Sequence, residues 1–286
     1  MRLKFFVWAF AGIFILSILS AGEEKILSFG VEFENVSDRN LVNNGGKAVI
    51  TLPGRVDPHT LESSKEEISS KSSRAFLKCS FNPVNFLSIY GRVGFTNLDW
   101  NVTLQNPPGE PGTPPQTLRF EGNISFIWGI GAKLKIFEIA GFKAELNADY
   151  LTYKPDGKCY INDIEFKEFE EEQFRIQHGG GEVKYTIDTD TKEFSAGILL
   201  SKKFWKFTPY IGGGYIDMKP KSTWVVEGTP TDIGNVRMDI EFNSKMKENI
   251  YLIGGVNINI LGPLNLNISL RTKAVSTLSA NLNLSF

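Results

Sequence analysis

The chain has 286 residues, of which 42% are hydrophobic and 22% are charged. This composition excludes a chain that is disordered as a whole, and the length suits one large all-β domain or two modest domains. A formal net charge of -1 provides no field that would attract nucleic acid, so no nucleic-acid partner is expected. The 22 Phe and 27 Gly residues, against only 4 Met, favour strands over packed helices.

The first segment predicts export by a cleaved signal peptide. Arg2 and Lys4 precede an uncharged run from Phe5 to Leu19, and small residues follow before Glu23. A basic start, a short apolar run and small residues, in this order, are the parts of a secretory signal. We therefore expect a signal peptide over residues 1–22 and a mature domain over residues 23–286. An uncleaved membrane anchor is the alternative, but the apolar run is short for a spanning helix.

Alternating hydrophobicity predicts the strands of the mature domain. From Leu278 to Phe286, apolar side chains stand at every second position, with Ser or Asn between them. Successive side chains of a strand point to opposite faces, so such a strand can present one face to lipid and the other to a polar interior. The same alternation recurs in segments that begin near Leu27, Arg74, Leu87, Phe120, Phe142, Phe194, Phe207, Asn249 and Leu264. The sequence therefore predicts an all-β, up-and-down antiparallel transmembrane β-barrel of about ten strands.

The connections between these strands alternate between short and long. Short turns are predicted near residues 82–85, 137–141, 204–206 and 261–264, with a further tight loop near residues 274–277. The long connections are residues 36–73, 98–117, 153–192 and 218–248. Outer-membrane barrels have short periplasmic turns and longer extracellular loops, so the four long connections are expected outside the cell. An eight-stranded barrel is the alternative, as is a different first strand around residues 47–56.

The chain resembles the small bacterial outer-membrane barrels, the broad group of OmpA-, OmpW- and opacity-type proteins. The residues that carry the resemblance are the signal segment Met1 to Gly22, the strand Pro209 to Tyr215 and the C-terminal Leu282, Leu284 and Phe286. The resemblance implies that the barrel-assembly machinery reads the terminal aromatic on an alternating last strand. It implies a location in the bacterial outer membrane, in contact with its lipid and lipopolysaccharide. No peptidoglycan-binding domain follows the barrel, so the tether role of the OmpA type is not carried over.

The interior faces of the predicted strands carry charges of both signs. The expected lumen charge network consists of Glu32, Glu34, Lys78, Arg92, Glu121, Lys133, Lys143, Glu145, Asp149 and Arg271. Balanced charges inside a narrow barrel indicate ion pairs and hydrogen bonds that fill the lumen. A polar path for a small solute is the alternative interpretation.

The sequence predicts no catalytic residue, cofactor site or metal site. Barrel enzymes generally need a His beside a carboxylate or a Ser, and the chain has only His59 and His178, both in long outer connections. Asp188 and Asp190 are candidate partners of His178, but no motif places them beside it. The two cysteines, Cys79 and Cys159, are expected to be unpaired.

The acidic stretch from Glu165 to Glu172 has Phe166 and Phe169 interleaved among its Glu residues. It is open to three interpretations: a solvated loop face, which is the default, a short amphipathic helix, or a patch that binds a cation or a partner.

From these features we expect an integral outer-membrane barrel with a structural or surface-interaction role, and not an enzyme. A narrow pore for small solutes is the first alternative, and a lipid- or peptide-modifying enzyme is the second. The sequence does not identify an extracellular ligand.

Overall fold

A computed structural model describes residues 26–61, 66–104, 115–232 and 234–286. The predicted signal peptide lies outside the described residues. The strands are β1 (Leu27–Leu52), β2 (Arg55–Leu61), β3 (Glu67–Val84), β4 (Leu87–Thr96), β5 (Asp99–Leu104), β6 (Gln116–Gly122), β7 (Ser125–Ile139), β8 (Phe142–Tyr153), β9 (Gly157–Ile161), β10 (Ile164–Glu165), β11 (Val183–Lys202), β12 (Phe207–Gly228), β13 (Val236–Met246), β14 (Ile250–Leu261), β15 (Leu264–Lys273) and β16 (Val275–Ser285). Within these described residues the structure has one helix, α1, which spans Phe166–His178.

Ten of the strands close into a ring of antiparallel pairs. The order around the ring is β1–β3–β4–β7–β8–β11–β12–β14–β15–β16, and β16 pairs with β1 to complete it. The closing pair aligns Phe29 with Leu284. The predicted barrel of about ten strands is confirmed, and the eight-stranded alternative is wrong.

The outer face of the ring is a continuous apolar belt. Exposed apolar side chains occur on strands all around it, including Leu77, Val93, Trp128, Ile130, Leu146, Ile198, Ile211, Leu252, Leu270 and Leu282. The polar and charged residues that alternate with them point into the lumen. The short turns after β3, β7, β11 and β14 lie at one end of the ring, near the positions that the sequence predicts, and the tight connection at Ala274 lies at the other end.

Several strands continue beyond the other end of the ring and build a second body, the outer module. It consists of residues 40–61, 66–71, 98–104, 115–123, 154–192, 219–232 and 234–249. In it, the outer half of β1 pairs with β13, and β13 pairs with the outer half of β12. On the other side, β3 pairs with β5, β5 with β6, and β6 with β9. A bridge between Asp156 and Asp188 joins the start of β9 to β11, so the sheet curls around a core of its own.

The outer module corrects the prediction of long loops, because much of the four long connections is strand. β1 runs from Leu27 to Leu52, so the alternative first strand around residues 47–56 is the outer half of that same strand and the turn after it. The polar backbone of this half is satisfied by pairing with β13 and β2. Such pairing joins distant parts of the chain, which an alternation pattern does not reveal.

The predicted strand from Phe120 to Ile136 is also two strands rather than one. β6 ends at Gly122 in the outer module, and β7 begins at Ser125 in the ring. Between them the backbone N–H of Asn123 donates to the carbonyl oxygen of Asp156 at 2.7 Å, outside both ladders. The chain therefore passes from the outer module into the ring at this point.

The acidic stretch forms part of α1, so the amphipathic-helix interpretation is confirmed. Phe166 is buried, and Phe169 and Phe174 pack against the core of the outer module. The helix ends at Gly179, whose φ of 73° lies in the left-handed region that favours glycine. Among the described residues, no helix is both long enough and apolar enough to cross a membrane.

Candidate functional site

A chain of buried ion pairs crosses the lumen of the ring. Glu193 on β11 accepts hydrogen bonds from Arg39 at 3.0 Å and from Arg74 at 2.8 Å. The three side chains are exposed by 6% or less. A buried charge that loses its partner costs several kcal/mol, so these three groups depend on one another.

The chain of contacts continues from Arg74 through Glu34 to Arg92 on β4, and from there to β8. The two carboxylate oxygens of Glu34 lie 3.4 Å from Arg74 and 3.3 Å from Arg92. Arg92 also donates to Asp149 at 3.1 Å, and the Tyr90 hydroxyl donates to the same oxygen at 2.6 Å. These contacts join five of the ten ring strands. The six residues that form them are called the ion-pair layer: Glu34, Arg39, Arg74, Arg92, Asp149 and Glu193.

Large side chains from the remaining ring strands fill the space beside the ion-pair layer. Tyr251 on β14 is 1% exposed, and the guanidinium of Arg271 lies 4.5 Å from the centre of its ring. Met218 on β12 is fully buried, and its sulfur accepts a contact of 2.8 Å from Arg39. The lumen at this level is therefore packed with side chains.

Glycines on neighbouring strands make room for the aromatic side chains of the lumen. A Cβ placed on Gly197 would lie 2.5 Å from the Tyr251 hydroxyl oxygen, and one on Gly214 would lie 2.8 Å from it. A Cβ on Gly131 would lie 2.5 Å from the hydroxyl oxygen of Tyr90. These glycines allow a close approach that no larger residue permits. Gly212 relieves crowding in the same wall, since a Cβ placed on it would lie 2.1 Å from the carbonyl oxygen of Ile198.

A polar cavity of about 300 Å³ adjoins the ion-pair layer inside the ring. Apart from the ion-pair layer, its lining is mostly Ser and Asn, including Ser28, Ser80, Ser201, Asn257, Asn265 and Asn283. Lys133 and Glu145 also face it. The cavity lies toward the end of the ring that carries the short turns.

The structure brings together most of the predicted lumen charges. Glu32, Glu34, Lys78, Arg92, Lys133, Glu145, Asp149 and Arg271 all line the polar cavity. Lys143 stands beside its mouth and lies 2.6 Å from Glu145. Glu121 is different: it belongs to β6 of the outer module, its side chain is 49% exposed, and it pairs with Arg119 at 3.3 Å. The placement of Glu121 in the lumen is wrong because the alternating run breaks before β7.

Three members of the ion-pair layer are absent from the predicted network. Arg74 and Glu193 share the inward parity of their strands, and Glu193 directly precedes the outward-facing Phe194, so parity alone could have found both. Arg39 was hidden by a bulge at Ser37 and Asp38, where the register of β1 against β16 shifts by one residue. Such a shift moves all later side chains to the opposite face.

The core of the outer module lies directly beyond the ion-pair layer and is aromatic. Trp100 stacks on Phe120 at 5.5 Å between ring centres, and Trp224 lies 5.6 Å from Phe242. Phe166 from α1 meets Trp224 edge to face at 5.9 Å. Aromatic rings from four strands and from α1 therefore contact one another in the interior of the module.

The histidines and cysteines lie at separate places in the described part of the chain. His178 ends α1, and its Nδ1 lies 2.9 Å from Asp232, so the partners considered from sequence, Asp188 and Asp190, are wrong. His59 is exposed on β2. Both cysteines are free, as expected. Burial in the outer module raises the pKa of the Cys159 thiol to about 12. Among the described residues, no cluster of His, Cys, Asp or Glu could hold a metal ion.

The closed ring, its apolar belt and its polar interior together define a membrane-spanning β-barrel of the outer-membrane type. No family model matches the chain, and no curated protein matches it. Among solved structures, it is similar to the translocator domain of the autotransporter NalP from Neisseria meningitidis, at 7% identity and a TM-score of 0.42, covering 100% of this chain and 97% of that one. It is also similar to the outer membrane protease OmpT from Escherichia coli, at 12% identity and a TM-score of 0.43, covering 91% and 97%.

A third similar structure is the outer membrane protein OprG from Pseudomonas aeruginosa, at 7% identity and a TM-score of 0.39, covering 92% of this chain and 97% of that one. With TM-scores below 0.5, these likenesses identify no particular relative. The barrel assignment rests on the strand pairing and the surface of this chain itself.

Proposed function

We propose that this chain is an integral protein of the bacterial outer membrane with a structural or surface-interaction role, exerted through its outer module. The observation that carries this proposal is that the lumen is closed twice. The ion-pair layer fills it within the ring, and the aromatic core of the outer module obstructs it beyond the ring. A barrel closed in this way is a support for its outer end rather than a path through the membrane.

The distribution of turns supports the orientation in this proposal. Outer-membrane barrels keep their short turns in the periplasm and their larger excursions outside. By that rule the outer module is on the cell surface and the turns such as that at Gly141 are periplasmic. The outward-facing residues Leu282, Leu284 and Phe286 of the last strand are then available to the assembly machinery, and the belt contacts membrane lipid and lipopolysaccharide.

Conductance tests the closed lumen. Protein refolded into planar bilayers is expected to give no discrete conductance steps at moderate voltage. The polar cavity below the ion-pair layer favours the second candidate function, a narrow pore for small solutes. Discrete single-channel steps from the wild-type protein would contradict the closed barrel and support that pore.

Labelling of intact cells tests the orientation separately. In a background in which Cys79 and Cys159 are Ser, we would compare Lys154→Cys in the outer module with Lys203→Cys in a short turn. Both lysines are exposed. A membrane-impermeant maleimide is expected to label the variant at position 154 on intact cells, and the variant at position 203 only after lysis. The reverse pattern would overturn the proposed orientation.

We further propose that the protein is not an enzyme. The proposal is supported by the exposed setting of His178, whose side chain is 25% accessible and whose partner Asp232 is 53% accessible. Lipid and peptide hydrolysis by the refolded protein should be indistinguishable from a protein-free control. Activity that disappears in a His178→Ala variant would contradict this.

A further inference from the structure

The outer module encloses a second cavity, separate from the polar cavity of the ring. Its volume is about 340 Å³, and it is bounded by β1, β3, β5, β6, β12 and β13. The wall is mainly apolar, and its largest side chains are Trp100, Trp224 and Phe242. Ligand-binding pockets generally occupy about 300–1,000 Å³ and have mainly apolar and aromatic walls.

The aromatic walls of this cavity are held in place by their neighbours. Trp100 is fixed on one side by its stack with Phe120, and it lies 6.3 Å from Trp224 and 6.5 Å from Phe242. The Trp100, Trp224 and Phe242 rings all border the cavity. Atoms that line a void lose the dispersion contacts that an occupant would provide, so an apolar occupant is favoured there.

The polar groups of the wall indicate how polar an occupant can be. The hydroxyls of Thr189 and Ser222 bond to each other at 3.0 Å, and the Ser70 hydroxyl donates to the carbonyl oxygen of Arg39 at 3.4 Å. Among the described residues that line the cavity, Glu66 is the one charged residue, and it lies at the partly exposed rim with Asn43 and Leu61. Within the described part of the chain, the inner wall therefore offers no charge that would compensate a charged ligand, and burying an unpaired charge is costly.

We propose that this cavity is a binding site for a small, uncharged, largely apolar molecule. A water molecule occupies about 30 Å³ in the liquid. If each non-hydrogen atom of a ligand needs a similar volume, the cavity holds roughly ten of them. A two-ring aromatic hydrocarbon has this size and matches the flat walls of Trp100, Trp224 and Phe242. The site goes beyond the proposed surface role and does not depend on whether the lumen conducts ions.

Naphthalene is a suitable probe, and equilibrium dialysis against protein in lipid nanodiscs measures its binding. Empty nanodiscs correct for partition into lipid. We expect saturable binding of one naphthalene per chain above that background, and at least tenfold weaker binding of 1-naphthoate, which is charged. Binding that does not exceed the empty nanodiscs, or equal affinity for the two probes, would overturn the proposal.

Substitutions at the wall locate the site. Ser244 lines the cavity and is 7% exposed, so Ser244→Phe should fill it and weaken naphthalene binding at least tenfold. Leu146→Phe on the lipid-facing belt is the matched control and should leave binding unchanged. Wild-type affinity in a folded Ser244→Phe protein would contradict the assignment.

A second variant keeps the test decisive if Ser244→Phe fails to fold. Phe242→Ala enlarges the cavity, and it should raise the affinity for anthracene relative to naphthalene. An unchanged preference would count against the site. Dialysis measures binding and not ion flow, so a conducting lumen would overturn the proposed closed barrel without changing this result.

Discussion

Arg74 and Glu193 are 119 residues apart in the sequence, yet their side chains form two parallel hydrogen bonds of 2.8 and 3.3 Å. The pair joins β3 to β11 across the lumen, between strands that are not neighbours in the ring. Arg39 binds the same carboxylate from β1. A single glutamate on β11 thus links that strand to the neighbouring strands β1 and β3 on the other side of the lumen.

Removal of this glutamate should destabilise the barrel strongly. Glu193→Ala leaves Arg39 and Arg74 buried without their shared carboxylate, and breaking a buried pair in this way costs about 3–5 kcal/mol. The free energy of unfolding, measured by urea titration of protein folded in lipid vesicles, should fall by that amount. Glu121→Ala is the control, because Glu121 is half exposed and pairs at the surface. A loss below about 1 kcal/mol for Glu193→Ala would show that the ion-pair layer is not a structural element.

Because Tyr90 lies so close to Gly131, alanine substitutions at Gly131 and Gly91 should differ strongly in their effect on the free energy of unfolding. Gly131→Ala places a methyl group 2.5 Å from the Tyr90 hydroxyl oxygen and 2.7 Å from the backbone oxygen of Ala148. Overpacking of this kind costs about 1–3 kcal/mol. Gly91→Ala is the matched control on the adjacent strand, since nothing lies within 4 Å of its Cβ position. Equal unfolding free energies for the two variants would contradict the packing of Tyr90 against the wall.

A charge on the belt tests which surface of the ring faces lipid. Ile130 on β7 is 57% exposed, and Ile130→Arg should reduce the free energy of folding into vesicles by about 2–4 kcal/mol. Ile176 on α1 is similarly exposed, at 65%, but it lies in the outer module. Ile176→Arg should therefore change the folding free energy by less than about 0.5 kcal/mol. Similar losses at both positions would mean that the two surfaces share one environment.

The two cysteines should differ in their reaction with thiol reagents. Burial raises the pKa of the Cys159 thiol from 9.0 to about 12, so its reactive thiolate is scarce at pH 7 and still scarce at pH 9. In a Cys79→Ser variant, iodoacetamide should leave folded Cys159 unmodified at both pH values and modify it after unfolding in urea. Modification that rises tenfold for each pH unit up to an ordinary thiol pKa would contradict this burial.

The complementary Cys159→Ser variant tests the other thiol. Cys79 is exposed on the outer face of β3, among the apolar residues of the belt. An apolar maleimide should label it in folded, vesicle-bound protein, while a charged maleimide should not. Equal labelling by both reagents would place Cys79 in water.

Alternation was sufficient to predict the ring. In segments such as Leu278 to Phe286, apolar and polar residues alternate along the whole strand. They alternate because one face of the strand contacts lipid and the other faces a polar interior. The same parity assigned Glu34, Arg92 and Asp149 to the lumen before any contact between them was known. Each of these assignments depends only on a residue and its immediate neighbours.

The outer module could not be predicted in this way. Its strands bury both an aromatic core and their backbone hydrogen bonds against partners far along the chain, as β1 does against β13. Its alternation is interrupted by the bulge at Ser37 and Asp38 and by the break before β7, and each interruption reverses which side chains point inward. For that reason Arg39 was missed and Glu121 was misplaced.

The sequence by itself determined that this chain forms a barrel with a lipid-facing belt and a charged interior, because lipid and polar lumen impose opposite demands on alternate residues of each strand. Only the tertiary structure decided that the charges pair with one another across the lumen. It also decided that Trp100, Trp224 and Phe242 surround a cavity, because these residues come from β5, β12 and β13 and meet only when the sheet curls. The direction in which a side chain points is a local property, whereas its partner across a closed ring depends on the whole fold.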